Sequence, residues 1–191
     1  KGRGTSEYWM CWHKGVAEYH SNNASVIFLN ETNASQAGGG NANYYPAAPD
    51  SNVVYVGSAS NTNSSTSPGM IAYCFTGVEG YSKFGKYVGN GSADGPFIHC
   101  NFRPAWLLIK ATSSAYNWLV FDSQRNTYNI INNVLHPNDP MAENGSGAFD
   151  WLDFTSNGFK HRNNGLWHNA SGTTYIYAAF AEHPFKTSRA R

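Results

Sequence analysis

Apolar residues in this chain come in short blocks and never in helical stripes. The blocks are rich in β-branched and aromatic residues and are bounded by Asn, Gly, Ser and Pro, which is the pattern of strands and turns. Strands are expected at about 7–13, 25–30, 52–57, 69–76, 83–88, 96–100, 104–111, 116–122, 128–132, 149–154, 158–161 and 173–181. Helix signals are nearly absent. So many short strands with frequent turns imply a sandwich or a barrel. The blocks at 105–109 and 175–180 are apolar on both faces, which marks central strands covered on both sides.

The pattern also repeats. Lys110 precedes Asn117-Trp118-Leu119-Val120-Phe121-Asp122 as Lys1 precedes Tyr8-Trp9-Met10-Cys11-Trp12-His13, with eight positions from lysine to tryptophan in each. Met70-Ile71-Ala72-Tyr73-Cys74-Phe75 answers Tyr175-Ile176-Tyr177-Ala178-Ala179-Phe180. In the second copy an apolar run, Ala105 to Ile109, leads into the lysine; in the first copy its counterpart would lie ahead of Lys1. The expected organisation is a first, N-terminally incomplete copy over 1–76 and a second over 77–191, or one continuous sandwich. A repeat without its leading strand points to a piece of a longer repetitive polypeptide. It would also leave an open sheet edge, which natural proteins avoid. Residues 1–75 are therefore expected to pack on 78–185, on upstream chain or on a neighbouring subunit.

Composition narrows the function classes. The balance is 13 basic against 12 acidic residues, net +1, with no clustered basic face such as phosphate neutralisation needs; nucleic acid is not an expected partner. Only Lys186, Arg189 and Arg191 gather near one place. No apolar run is long enough for a membrane-spanning helix. Charged residues make up 13% of the chain, about half the usual share. The surface must then be built from Asn, Ser, Thr and Gly, which with 15% aromatics suits extracellular, virion or glycan-binding proteins. Residues 32–51, 58–68 and 133–148 read as loops. Asn-X-Ser/Thr triplets begin at Asn23, Asn30, Asn33, Asn63, Asn90, Asn144 and Asn169; they are glycan acceptors or simply turn residues. Cys11, Cys74 and Cys100 lack metal-ligand spacing. They are read as buried thiols, with a Cys11–Cys74 bridge or intermolecular pairing as the alternatives.

Little in the chain supports catalysis. No Gly-x-Ser-x-Gly elbow occurs. Asp150 and Asp153 sit at an odd offset, so they point to opposite faces of a strand and do not make a glycosidase pair. No catalytic residue, metal ligand or cofactor is assigned, although an oxygen-ligated Ca²⁺ site leaves little sequence signature. Aromatics carry the binding chemistry instead. Trp9, Trp12, Trp106 and Trp118 are expected in the core. Trp151 and Asp153 share the strand face opposite Leu152 and Phe154, and Trp167-His168 lies in a polar loop. These four residues, Trp151, Asp153, Trp167 and His168, are the candidate ligand-binding set; for Trp151 and Trp167 the alternative is a subunit contact or partial core.

From Ile71 to Arg125 the motifs fall in a recognisable order. Ala72-Tyr73-Cys74-Phe75 is followed by Val78-Glu79-Gly80-Tyr81-Ser82-Lys83-Phe84-Gly85-Lys86-Tyr87, then Gly89-Asn90-Gly91 to Phe97. Phe102-Arg103-Pro104-Ala105-Trp106-Leu107-Leu108-Ile109-Lys110 and Trp118 to Arg125 complete the series. This resembles a repeated all-β domain of unassigned chemistry, found near the C-terminus of tail-fibre and other virion structural proteins of tailed phages, often beside lectin-like modules. The expected fold is an antiparallel β-sandwich, jelly-roll or lectin-like, of two related halves. The expected function is non-enzymatic: a virion surface protein, the C-terminal part of a tail fibre or similar appendage. It would be a homo-oligomer, a trimer by preference, that contacts other virion proteins and a host-surface glycan. Two alternatives stand beside it: a purely structural capsid or fibre domain without ligand, and a secreted or cell-surface filament protein. Poor exposure of Trp151 and Trp167 would favour the structural alternative.

Overall fold

The computed structural model describes residues 1–4, 6–38, 44–65, 69–143 and 150–183. The Asn144 triplet, Phe149 of the expected 149–154 strand, and Lys186, Arg189 and Arg191 lie outside the described residues. The chain divides into two compact units, Lys1–Phe75 with Thr112–Ala115, and Thr76–Ala111 with Tyr116–Arg191.

In the first unit, β1 (Met10–Cys11) pairs antiparallel with β2 (Ile27–Phe28). Met10, Val26 and Phe28 form a small core against which Tyr44 and Tyr45 pack. Between the strands lies α1 (Lys14–His20), which the strand pattern did not anticipate. His13 caps it, its Nδ1 accepting from the Gly15 amide at 2.9 Å. It ends where Ser21 turns left-handed at φ 52° and the Asn22 amide reaches the Ala17 carbonyl at 2.9 Å. Only Gly15, Val16 and Ala17 are buried, too short a stripe for periodicity to show. A single turn, α2 (Ser60–Asn63), follows later.

The strands expected at 52–57 and 69–76 form no ladder. Asp50 instead binds the amides of Asn52 and Val53 and the Tyr55 hydroxyl, an arrangement typical of a turn. Only Met70 of the second segment makes an isolated bridge, to Gly2.

The second unit is all-β and antiparallel apart from one short turn of helix. Its strands are β3 (Ser82–Val88), β4 (Phe97–His99), β5 (Pro104–Ala111), β6 (Leu119–Asp122), β7 (Leu152–Thr155), β8 (Gly158–His161) and β9 (Thr174–Ala181), with α3 (Leu166–Asn169) between the last two. One sheet runs β3-β9-β5-β6 and the other β4-β8-β7. Leu107, Ile109, Leu119, Phe121, Tyr175, Tyr177 and Ala179 of the first sheet join Ile98, Leu152, Phe154 and Phe159 of the second in one core. The doubly apolar block at 175–180 accordingly becomes β9, paired on both sides. The strand expected at 128–132 shrinks to one bridge from Ile131 to Leu152.

Lys110 of β5 is wholly buried. Its ammonium donates to the Ala111 carbonyl at 3.1 Å, and burial pushes its pKa down to about 8. At pH 7 a charge is thus held inside the protein, which is costly even when hydrogen-bonded. Lys110→Met is expected to raise the unfolding free energy at pH 7 by about 1–2 kcal/mol, read as a higher urea midpoint; an unchanged or lower midpoint would show the ammonium to be fully compensated.

Candidate functional site

The four residues selected from the sequence do not form a surface. Trp151 and Asp153 are 5% and 7% exposed, and His168 is fully buried. The face they were expected to present is covered by the chain between β8 and β9. Trp151, Trp167 and His168 do come together: the Trp151 ring lies 5.0 Å from His168 and 6.3 Å from Trp167. Trp167, half-buried, meets His136 edge-on at 5.5 Å. Asp153 is engaged elsewhere. Its Oδ2 accepts from Nε of Arg162 at 2.6 Å and is also ion-paired with Nη2, while Oδ1 has no hydrogen-bond partner among the described residues.

At the centre is a histidine pair that the sequence reading did not single out. His161 closes β8 with its ring inward, 4.9 Å from Tyr87 and edge-on to Phe159 at 5.6 Å. Its Nδ1 lies 2.7 Å from Nδ1 of His168. Asn163 settles the tautomers. Its Oδ1 accepts from the Gly165 amide at 2.7 Å and therefore also from Nε2–H of His168 at 2.8 Å. His168 then offers Nδ1 as acceptor, and His161 must donate from its own Nδ1. Nε2 of His161 is left as a buried lone pair without a partner among the described residues. Burial drives both imidazoles far below their ordinary pKa, His168 to about 3, and in His161 the charges of His168 and Lys160 add to the effect of burial. Both rings are neutral at pH 7.

The surroundings hold this pair in place. Tyr87 of β3 donates to the His168 carbonyl at 2.7 Å, and Tyr175 of β9 to the Leu166 carbonyl at 2.6 Å. Asn169 donates to the carbonyls of Ser92 and Asn163 and accepts from the Asn90 amide. Its amide is buried and fully used, which makes the Asn169 triplet a structural turn and not a glycan acceptor. Neutral imidazoles walled in by aromatic rings have no route to proton exchange with a substrate. Their role is to pin α3 and the loop around it onto both sheets. Strand alternation does not reveal this pair, because a turn of loop carries His168 back to His161 from seven positions away.

Two surface features of the first unit bear on binding. Trp12 is half-buried, not a core residue, and its Nε1 donates to the Asn23 carbonyl at 2.9 Å. With Lys14, Glu18, Asn23 and Pro49 it lines an open cleft of about 490 Å³. Trp9 and Trp106 are also half-buried, and only Trp118 meets the core expectation for the four tryptophans. The second feature is the segment Ile71–Phe75, every residue of which is exposed, Tyr73 at 65% and Phe75 at 67%. Cys74, expected in a core, is exposed with it; Cys11 is half-buried and Cys100 buried, and all three are free thiols. Tyr73 stacks on Trp9 at 6.1 Å, yet most of its surface faces solvent. Among the described residues no group of three or more His, Cys, Asp or Glu side chains is placed to hold a metal ion.

A family described as a domain of unknown function (DUF7483) matches residues 1–184. No curated protein matches the chain. No solved structure matches it either.

Proposed function

We propose that this chain, which belongs to the DUF7483 family, is a structural module of a virion surface appendage, built of two related halves and integrated into its assembly by strand addition. The observation that carries the reading is Ile71–Phe75, an apolar β-type segment exposed along its whole length. Single apolar residues on a surface need no explanation, but a contiguous run with strand chemistry marks an association site. The resemblance to repeats of phage structural proteins supports the virion setting, and fibre-like assemblies of that kind are symmetric homo-oligomers. Burial of Trp151 and partial burial of Trp167 favour a structural role over ligand capture through those rings. The purified chain should associate at micromolar concentration, and Tyr73→Asp should shift it to monomer in sedimentation velocity. A chain that is monomeric at every concentration would sink the reading.

The Trp12 cleft supports a second reading, recognition of a host-surface glycan. An indole face offers the C–H stacking that sugars use, and Lys14, Glu18 and Asn23 stand beside it for hydroxyls. Weak single-site binding would be multiplied by valency in an oligomer. Trp12→Ala is then expected to weaken binding to host cells or to a glycan array by about tenfold or more. Binding that survives the substitution would remove the cleft from consideration.

A further inference from the structure

Lys1 and Ile71 face each other as a hydrogen-bonded antiparallel pair. The Lys1 amino group donates to the Ile71 carbonyl at 3.2 Å, and the Ile71 amide donates to the Lys1 carbonyl at 3.0 Å. Gly2 bridges Met70, and the Arg3 amide reaches the Gly69 carbonyl at 3.0 Å. In the second unit Lys110 of β5 lies opposite Ile176 of β9. The sequence repeat equates Lys1 with Lys110 and Ile71 with Ile176, so the same pair occurs in both units. From there β5 and β9 continue in register through Ile109–Tyr177, Leu108–Ala178, Leu107–Ala179 and Trp106–Phe180. Ala72 to Cys74 answer Tyr177 to Ala179, and they carry no ladder among the described residues.

We propose that Ala72–Cys74 accepts one further antiparallel strand of β5 character, running into Lys1 from its amino side. The inference rests on the reading of two related halves. Hydrogen-bonded and non-hydrogen-bonded pairs alternate along an antiparallel ladder. With Lys1 and Ile71 bonded, the next amide turned toward the same edge is that of Tyr73. A strand placed there would pair the Tyr73 backbone and cover the apolar side chains around it, the mode of recognition known as β-augmentation. The register is already set by Lys1, so a strand joined to it loses little further freedom on docking. A second copy of the chain is a poor donor, because its own β5 is held on both sides by β6 and β9.

Hydrogen exchange on three chains tests this: the chain itself, the chain with the Pro104–Ile109 sequence joined ahead of Lys1, and the chain with a Gly/Ser extension of equal length. The β5-type extension should slow exchange at the Tyr73 amide by ~100-fold and reduce self-association in sedimentation, while the Gly/Ser extension does neither. Equal Tyr73 exchange in the two extended chains overturns the inference. If the plain chain still associates in that case, the assembly reading survives alone; if it is monomeric, both fall. Concentration-dependent protection of Tyr73 in the plain chain, unchanged by either extension, would make a second copy the occupant and also overturn the inference.

Discussion

Replacing Gly158 by valine is expected to remove about 3–5 kcal/mol of stability and to lower the melting temperature by roughly 10 °C. Gly158 opens β8 and lies opposite His99 of β4. A Cβ there would stand 2.0 Å from the Ile98 carbonyl oxygen, 3.0 Å from the carbonyl carbon and 3.1 Å from the His99 Cα. All three are backbone atoms, so no side-chain rotation relieves the contact. β4 must move off β8, and it cannot move freely. The amides of Cys100 and Asn101 are tied to the Asn157 carbonyl just beyond the strand, and Ile98 and Cys100 are seated in the core. The three-stranded sheet would lose its β4 edge.

Gly172→Ala is the useful comparison. That residue has φ +74° but open space around its Cβ position, so its cost is backbone strain alone, about 1 kcal/mol. Thermal melts of the two variants separate close backbone approach from conformational strain. A Gly158→Val protein that melts with the parent would mean that β4 and β8 do not lie this close.

The second unit was largely legible because its strands carry their own partners. Pro104–Ala111 and Gly158–His161 appear at the boundaries read from the apolar blocks, and the block apolar on both faces at 175–180 is the strand paired on both sides. In the first unit the same chemistry misled. Val53 to Val56 and Ile71 to Phe75 have strand composition, yet strand propensity is realised only where neighbours supply hydrogen bonds and cover. α1 escaped notice for the converse reason: a histidine cap and a left-handed serine build it locally, with three small buried residues in place of an apolar stripe. Among site residues, the ligand-surface reading of Trp151 and Asp153 treats the outer face of β7 as open. Alternation says which residues share a face; it does not say what lies over that face. Here α3 and Arg162 do, and the polar residues that place them, Asn163 and Asn169, look like ordinary loop residues in the sequence.

The histidine pair should also dominate the response to mild acid. Unfolding free energy is expected to change little from pH 8 to 7, where the lowered pKa of Lys110 gives it a slight downward slope, and then to fall below pH 6.5. The sign follows from the direction of the shifts. Unfolded histidine titrates near 6.5, whereas burial holds His168 at about 3 and His161 well below its ordinary value in the folded protein. Between those limits the unfolded chain binds more protons, so stability rises with pH and is lost as pH falls. Each histidine contributes about 1.4 kcal/mol per pH unit below 6.5, so the pair removes about 4 kcal/mol by pH 5. His20, lowered less by its partial burial, adds a smaller share. Asp94 and Asp122 are held below the usual carboxylate range and lose their contribution only in stronger acid, which leaves the window from 6.5 to 5 to the imidazoles. Urea titrations at pH 7.5 and 5.0 measure the loss, and uptake of about two protons on unfolding at pH 5 identifies its source. Asn163→Asp tests the geometry directly. A carboxylate at 163 would accept from Nε2–H of His168 and favour the imidazolium, raising that pKa in the folded state. The variant should be less stable at pH 7 but lose only about half as much between pH 7.5 and 5.0. An acid response identical to the parent's would mean that the side chain at 163 does not face His168, and the tautomers assigned through it would have to be abandoned.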